Sequence, residues 1–278
     1  MPGLELDYVL PSKDLQPYVS LFYRFRVDAP VFDDVERAQT AQIRWRLTPG
    51  ESVYHFADGR QVEAPAYHLL GPTTGPTRTR TVGPLFGFGM GLTPAGWGAL
   101  LESDAAAMAD TVTCAIAQFG DGIAEAAISL RADGGAAAMA ACVEPCVRRL
   151  LHATDPATLA FVHAVDDWLS GEASPPLDAL VAATGLSRRQ IERRCNALYG
   201  APPKLLARKY RALRAAVQLA TGGEEVDGFY DQSHMIREVK EFTGLTPKAM
   251  RAPGELARVT IGHRRELAGQ VPRIVSET

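Results

Sequence analysis

The sequence predicts an α+β protein. A β-rich barrel or sandwich with flanking Ala-rich helices is expected over residues 1–150, and an all-α domain of two helix-turn-helix units over 151–252. A C-terminal tail is expected over 253–278. Three observations carry this reading. Short alternating, aromatic-rich segments divided by Gly/Pro turns fill the first hundred residues; helical spacing takes over from Pro94; and a sharply basic stretch lies in the last third.

The strand segments include residues 21–27 (LFYRFRV), 42–47 (QIRWRL) and 52–56 (SVYHF), which alternate and are rich in β-formers. Thr48-Pro49-Gly50, Asp58-Gly59 and the run Gly71-Pro72-Thr73-Thr74-Gly75-Pro76 mark turns between strands. Residues 84–98 are glycine-dense, as expected where backbones approach closely or bend. Residues 95–152 read as two or three helices, interrupted at Ala132-Asp133-Gly134-Gly135. A further helix over 157–169 follows Asp155-Pro156, with Thr154 or Asp155 as N-cap and Pro156 at its first position. Residues 171–176 (GEASPP) form a linker.

The 278 residues and 46 % hydrophobic content suffice to bury a core in one large or two ordinary domains. The net charge of −3 hides an asymmetry. Residues 187–217 hold nine Lys/Arg against one acid, Glu192, a net of +8, so the remainder carries −11. Such a split is the footprint of a module that meets a polyanion. No run of 18 apolar residues predicts a membrane span, and no basic-then-apolar leader opens the chain. Four cysteines in this length do not suggest a disulfide framework. A cytoplasmic protein without a membrane partner is expected.

Within the basic stretch, residues 177–184 (LDALVAAT) predict a short helix, Gly185 a left-handed turn, and Ser187 the N-cap of a helix running to about Tyr199. Ser187 and Gln190 match a capping box. Helix, glycine turn, capped helix is the helix-turn-helix layout. On the second helix Ile191, Cys195 and Leu198 recur at i, i+4, i+7 and face the core. Arg189, Arg193 and Asn196, flanked by Glu192, face outward. Arginine pairs bidentately with guanine, and glutamate accepts from cytosine N4. Arg188 and Arg194 sit at the edges, suited to phosphates. A long helix follows Pro202-Pro203, with Arg208, Arg211 and Arg214 expected at its surface. A second capped helix then begins at Asp231-Gln232-Ser233-His234. Its inward face is Met235, Val239 and Phe242. Its outward face is Ser233, Arg237 and Lys240, with Gln232 adjacent. A Gly-x-x-Pro ending closes both units, at Gly200–Pro203 and Gly244–Pro247.

Residues 157–251 resemble the C-terminal domain of AraC-type transcriptional regulators. The strings LSRRQIERRCNALYGAPPKLLARKYRALRAA and YDQSHMIREVKEFTGLTPKAMR carry the likeness. Residues 1–150 resemble the N-terminal domain that accompanies it, through YVSLFYRFR, HLLGPTTGPTR and GLTPAGW. The resemblance implies two recognition helices in successive major-groove segments of double-stranded DNA. It assigns contacts to Arg189, Glu192 and Arg193 in the first unit and to Gln232, Ser233 and Arg237 in the second. RNA polymerase, a second copy of the chain and a small effector in the N-terminal domain are further partners it admits. Trp45, Tyr54, Phe56 or Tyr67 would line the effector's cavity. The chain departs from the family where only Glu224-Glu225-Val226-Asp227-Gly228 separates Gly223 from Phe229, too few residues for a scaffold helix plus turn. Cys195, Met235, Val239 and Met250 stand where the family tends to carry Phe or Tyr, which predicts a smaller core. The second unit is therefore expected to be degenerate or repositioned.

Other chemistry is weakly represented. Cys142 and Cys146 share a helical face but lack further ligands at metal spacing. The six histidines form no metal motif, and Asp166-Asp167 are helix neighbours pointing apart. There is no nucleophile elbow, and GFGMG at 87–91 lacks the strand-to-helix context of a dinucleotide site. No catalytic residue, metal or cofactor is expected, and the chain is read as a non-enzyme. The competing class is an interaction module that has lost DNA binding and regulates another protein.

Overall fold

A computed structural model describes residues 3–130, 134–223 and 226–278. The expected break at Ala132-Asp133 and the Glu224-Glu225 part of the short connection lie outside the described residues. The strands are β1 (Leu4–Val9), β2 (Val19–Val27), β3 (Val31–Glu36), β4 (Gln42–Arg46), β5 (Ser52–His55), β6 (Gln61–Ala64), β7 (Tyr67–Leu70), β8 (Thr77–Val82), β9 (Leu85–Leu92) and β10 (Val112–Cys114). They form two antiparallel sheets, ordered β1-β2-β9-β4-β7-β10 and β3-β8-β5-β6. The sheets face each other across a cavity. The rings of Phe25 on β2 and Phe32 on β3 meet edge-to-face at 5.3 Å, and Arg44 on β4 pairs with Glu36 on β3 at 2.6 Å. No ladder joins the sheets among the described residues, so the domain is an open sandwich rather than a closed barrel.

Period-2 patterning builds these strands. On β8, Thr77, Thr79 and Thr81 are buried while Arg78, Arg80 and Val82 are exposed. On β9, Phe86, Phe88, Met90 and Leu92 enter the main core. The glycines alternate with them, and a Cβ at Gly89 would collide with the Tyr23 ring. The glycine-dense run is therefore a strand cleared for a neighbouring aromatic. Helices α1 (Pro94–Leu100), α2 (Ala115–Phe119), α3 (Gly122–Ile128) and α4 (Ala136–Leu150) follow. Ile123, Met139, Val143 and Val147 cover the sheet through Ile43, Leu69 and Met90.

The remaining helices are α5 (Pro156–Ser170), α6 (Leu177–Thr184), α7 (Arg188–Tyr199), α8 (Pro203–Ala220), α9 (Gln232–Thr243), α10 (Pro247–Met250), α11 (Glu255–Glu266) and α12 (Arg273–Ser276). Asp155 caps α5, accepting from the Ala157 amide at 3.0 Å. One core joins Phe161, Val165 and Leu169 of α5 to Leu180, Ile191, Cys195, Leu206 and Leu213. A second joins Ala215, Ala216 and Leu219 of α8 to Val239, Met250 and Ile261. Among the described residues between α8 and α9 there is no helix, only turns and bends, so the second unit keeps its recognition-type helix without the helix that usually supports it. Residues 253–278, expected as a tail, are folded. Leu256 of α11 packs with Val27 and Phe32 of the sandwich, and the helix lies along β1 and β3.

Candidate nucleic-acid interface

Helix α7 starts where the sequence places it. Ser187 Oγ accepts from the Gln190 amide at 3.4 Å, and Gln190 Oε1 accepts from the Ser187 amide at 2.9 Å, completing the capping box. Gly185 supplies the left-handed turn at φ +66° and Gly200 the left-handed end at +79°. Ile191 and Cys195 are fully buried, which turns Arg189, Glu192 and Arg193 to solvent. Asn196 is half-buried. Among the described residues Arg189 and Arg193 make no hydrogen bond or ion pair. Arg188 pairs with Asp178 at 2.6 Å while staying largely exposed, and Arg194 lies over the Phe161 ring at 5.4 Å.

Much of the basic stretch points inward, contrary to the expectation of a surface row on α8. Arg208 donates to Glu238 at 2.8 Å and to Glu241 at 2.7 Å. Arg211 donates to Glu238 at 2.6 Å, and Arg214 to the Leu169 carbonyl. Glu238, on α9, is 2 % exposed. Burial raises its pKa, but the hydrogen bonds and charges of Arg208 and Arg211 outweigh this and hold it below the usual range. The residue was not legible as a site from sequence; its one signal is the spacing to His234, whose Nε2 lies 3.2 Å away. Asp231 caps α9 by accepting from the His234 amide at 2.7 Å. Gln232, Ser233, Arg237 and Lys240 are exposed on the far face, while Val239 and Phe242 are buried.

Both helix-turn-helix units are seated on the sandwich through the 71–77 turn. Gly200, closing α7, lies against Pro72 and the Ala105 carbonyl; Gly244, closing α9 at φ +74°, lies against Val35 and Pro76. Between them Lys209 of α8 enters the sandwich and donates to the carbonyls of Thr73 at 2.8 Å and Gln39 at 2.9 Å. The Ala38 amide donates to the Phe242 carbonyl at 2.8 Å.

Behind this seat lies a cavity of about 140 Å³ between the two sheets, α10 and α11. Trp45 and Tyr54 are in its wall, as expected for two of the four aromatics; Phe56 and Tyr67 are not. Trp45 Nε1 donates to the Ile123 carbonyl on the helix-covered side. Inside, Tyr54 Oη meets His68 Nε2 at 2.9 Å and receives Arg44 at 2.9 Å. Among the described residues no group of three His, Cys, Asp or Glu is placed to hold a metal.

Residues 180–253 match the family model of a helix-turn-helix domain, and this part of the chain is an AraC-type helix-turn-helix domain. No curated protein matches the chain. Its overall form is similar to ToxT from Vibrio cholerae, at 9 % identity, over 80 % of this chain and 98 % of that one, with a TM-score of 0.44. It is also similar to ToxT of Vibrio cholerae strain SCE256 with an unsaturated fatty acid bound, at 10 % identity, 82 % and 94 % coverage and TM-score 0.43. The AraC-like transcriptional activator CuxR aligns at 14 % identity over 77 % of this chain and 87 % of its own, TM-score 0.28. Among the described residues no helix is long and apolar enough to cross a membrane.

Proposed function

We propose that this chain is a cytoplasmic, sequence-specific DNA-binding transcriptional regulator. Residues 151–252 form its DNA-binding domain, and residues 1–150 its regulatory domain. The observation that carries the reading is the outward face of α7, where Arg189, Glu192 and Arg193 stand exposed opposite a buried Ile191–Cys195 face. Arg189 and Arg193 read base edges and Glu192 discriminates among them; Ser187, Arg188 and Asn196 complete the contact surface. On α9, Gln232, Ser233, Arg237 and Lys240 make the second contact. The internal pairing of Arg208 and Arg211 concentrates DNA affinity on α7. The cavity holds a small effector, and occupancy is sensed through the Gln39–Lys209–Thr73 contact. Further partners of this reading are RNA polymerase and a second copy of the chain.

Selection from a randomised duplex pool tests this, followed by titration of the enriched duplex at rising salt. The expected result is one enriched sequence whose affinity falls steeply with salt as counterions are released. Failure to retain any duplex at low salt would overturn the reading. It would favour the protein-interaction module, for which the unsupported second unit and the Glu238-neutralised arginines speak.

A further inference from the structure

The outward faces of α7 and α9 differ in chemistry. On α7 that face is charged: Arg189, Glu192 and Arg193. On α9 an apolar side chain joins it. Gln232, Ile236 and Lys240 form one row at i, i+4, i+8, and all three are exposed, Ile236 at 40 %. Among the described residues of 151–252 the large apolar side chains left exposed are Tyr230 and Ile236, and both belong to the second unit. The side chains of Gln232, Ser233, Arg237 and Lys240 around Ile236 make no hydrogen bond or ion pair among the described residues. Asp231 serves as the N-cap, and Glu241, on the flank of this face, is taken by Arg208 at 2.7 Å. The presentation is fixed from behind: Glu238, two residues on and across the helix, is held by Arg208 at 2.8 Å and Arg211 at 2.6 Å.

A row of this kind suits an A·T-rich stretch of the major groove. There adenine offers N7 and N6 to a glutamine amide, and thymine displays its 5-methyl, the apolar group among the base edges. Unpartnered polar neighbours and two cations speak against an apolar protein surface as the partner, and for a polyanion that carries methyl groups. The helix rise of about 1.5 Å per residue puts Gln232 and Ile236 about 6 Å apart along α9, less than two base-pair steps of about 3.4 Å. We propose that Ile236 is a specificity-determining residue that reads a thymine methyl, with Gln232 on an adenine within two base pairs, so that α9 selects an A·T segment while the arginines of α7 select guanine. The second unit is then a reader of a different kind rather than a weakened copy of the first. This division of labour rests on the reading that the chain binds DNA through both helices.

Removing single groups from the duplex tests it. The full chain is titrated, by fluorescence anisotropy at fixed salt, with the duplex enriched from the randomised pool. It is then titrated with variants in which each thymine in turn is replaced by deoxyuridine, which lacks only the 5-methyl. In a second series each adenine in turn becomes 7-deazaadenine, which replaces the N7 acceptor by C–H. One thymine outside the segment affected by Arg189→Ala should show an affinity loss of about fourfold, the worth of one methyl-sized group covered. Ile236→Ala should bind the parent duplex about as weakly and lose that sensitivity, while Ile236→Val keeps part of it. Gln232→Ala should lose sensitivity to 7-deazaadenine within two base pairs of the same thymine. Both side chains are exposed, so these variants keep the core, and thermal melts check this. A parent duplex that binds without any thymine responding to loss of its methyl, or a response that survives Ile236→Ala, overturns the proposal and leaves the DNA-binding reading standing. Failure to bind any duplex overturns both.

Discussion

The Lys209 ammonium nitrogen lies 2.8 Å from the Thr73 carbonyl oxygen, in a site where Lys209 is only 4 % exposed. A lysine in the long connecting helix thus ends against two loops of the sandwich, held by the carbonyls of Thr73 and Gln39 with the Tyr210 ring 5.6 Å away. It joins the helix that carries both helix-turn-helix units to the turn on which both units rest.

Replacing Lys209 by Met removes the donor from two buried carbonyls, Thr73 and Gln39. A loss of about 1–3 kcal/mol in urea unfolding at pH 7 is expected, with faster amide exchange around residues 71–77. Burial pushes the Lys209 pKa down to about 7. The unfolded state therefore binds more protons between about pH 7 and the free lysine value near 10.4, and stability rises with pH through that window. The difference curve between wild type and Lys209→Met should show this rise. A flat difference curve would show that the ammonium keeps its ordinary pKa.

Arg189→Ala should weaken binding to the enriched duplex by about 1–3 kcal/mol and relax preference at one base pair. Arg208→Ala should change DNA affinity far less, since Glu238 and Glu241 already hold that side chain. Equal losses in fluorescence-anisotropy titrations would move the DNA-contacting surface from α7 to α8.

Glu238→Gln leaves Arg208 and Arg211 without their shared buried carboxylate. Breaking one partner of such a cluster costs about 3–5 kcal/mol, and this variant should melt well below wild type at pH 7. The folded carboxyl pKa is depressed, so its stabilisation is present above the unfolded value and is lost as pH falls through the folded one. The gap between wild type and variant should narrow in acid.

Gly244→Ala and Gly185→Ala form a matched pair, both at positive φ. A Cβ at Gly185 meets open space, whereas at Gly244 it comes within 3.1 Å of the Val35 side chain. Each should lose about 1–2 kcal/mol from left-handed strain. Gly244→Ala should lose more and also loosen α9 from the sandwich, as seen by proteolysis.

Asp166 accepts from Tyr199 Oη at 2.9 Å, and burial raises its pKa to about 7 despite that bond. The folded state holds this proton between the unfolded value near 3.9 and about 7, so stability falls as pH rises through that window. Asp166→Asn keeps an acceptor for Tyr199 without the charge. It should melt above wild type at pH 8, with little difference at pH 4.

The sequence by itself determined the local elements. The Ser187 cap, the Gly185 turn and the Ile191–Cys195 spacing specified α7 and its outward arginines, because caps, left-handed turns and helical faces are set by neighbours within a turn or two. The short connection before Phe229 likewise announced a missing support. Only the tertiary structure decided where the charge goes. Glu238 and Lys209 are polar helix residues that read as surface. Their burial depends on Arg208 and Arg211 for one, and on Gln39 and Thr73 for the other, all distant in sequence. The role of residues 253–278 was hidden for the same reason. The apolar face of α11 finds its partner in β1 and β3, at the other end of the chain, and no local pattern encodes a contact of that range.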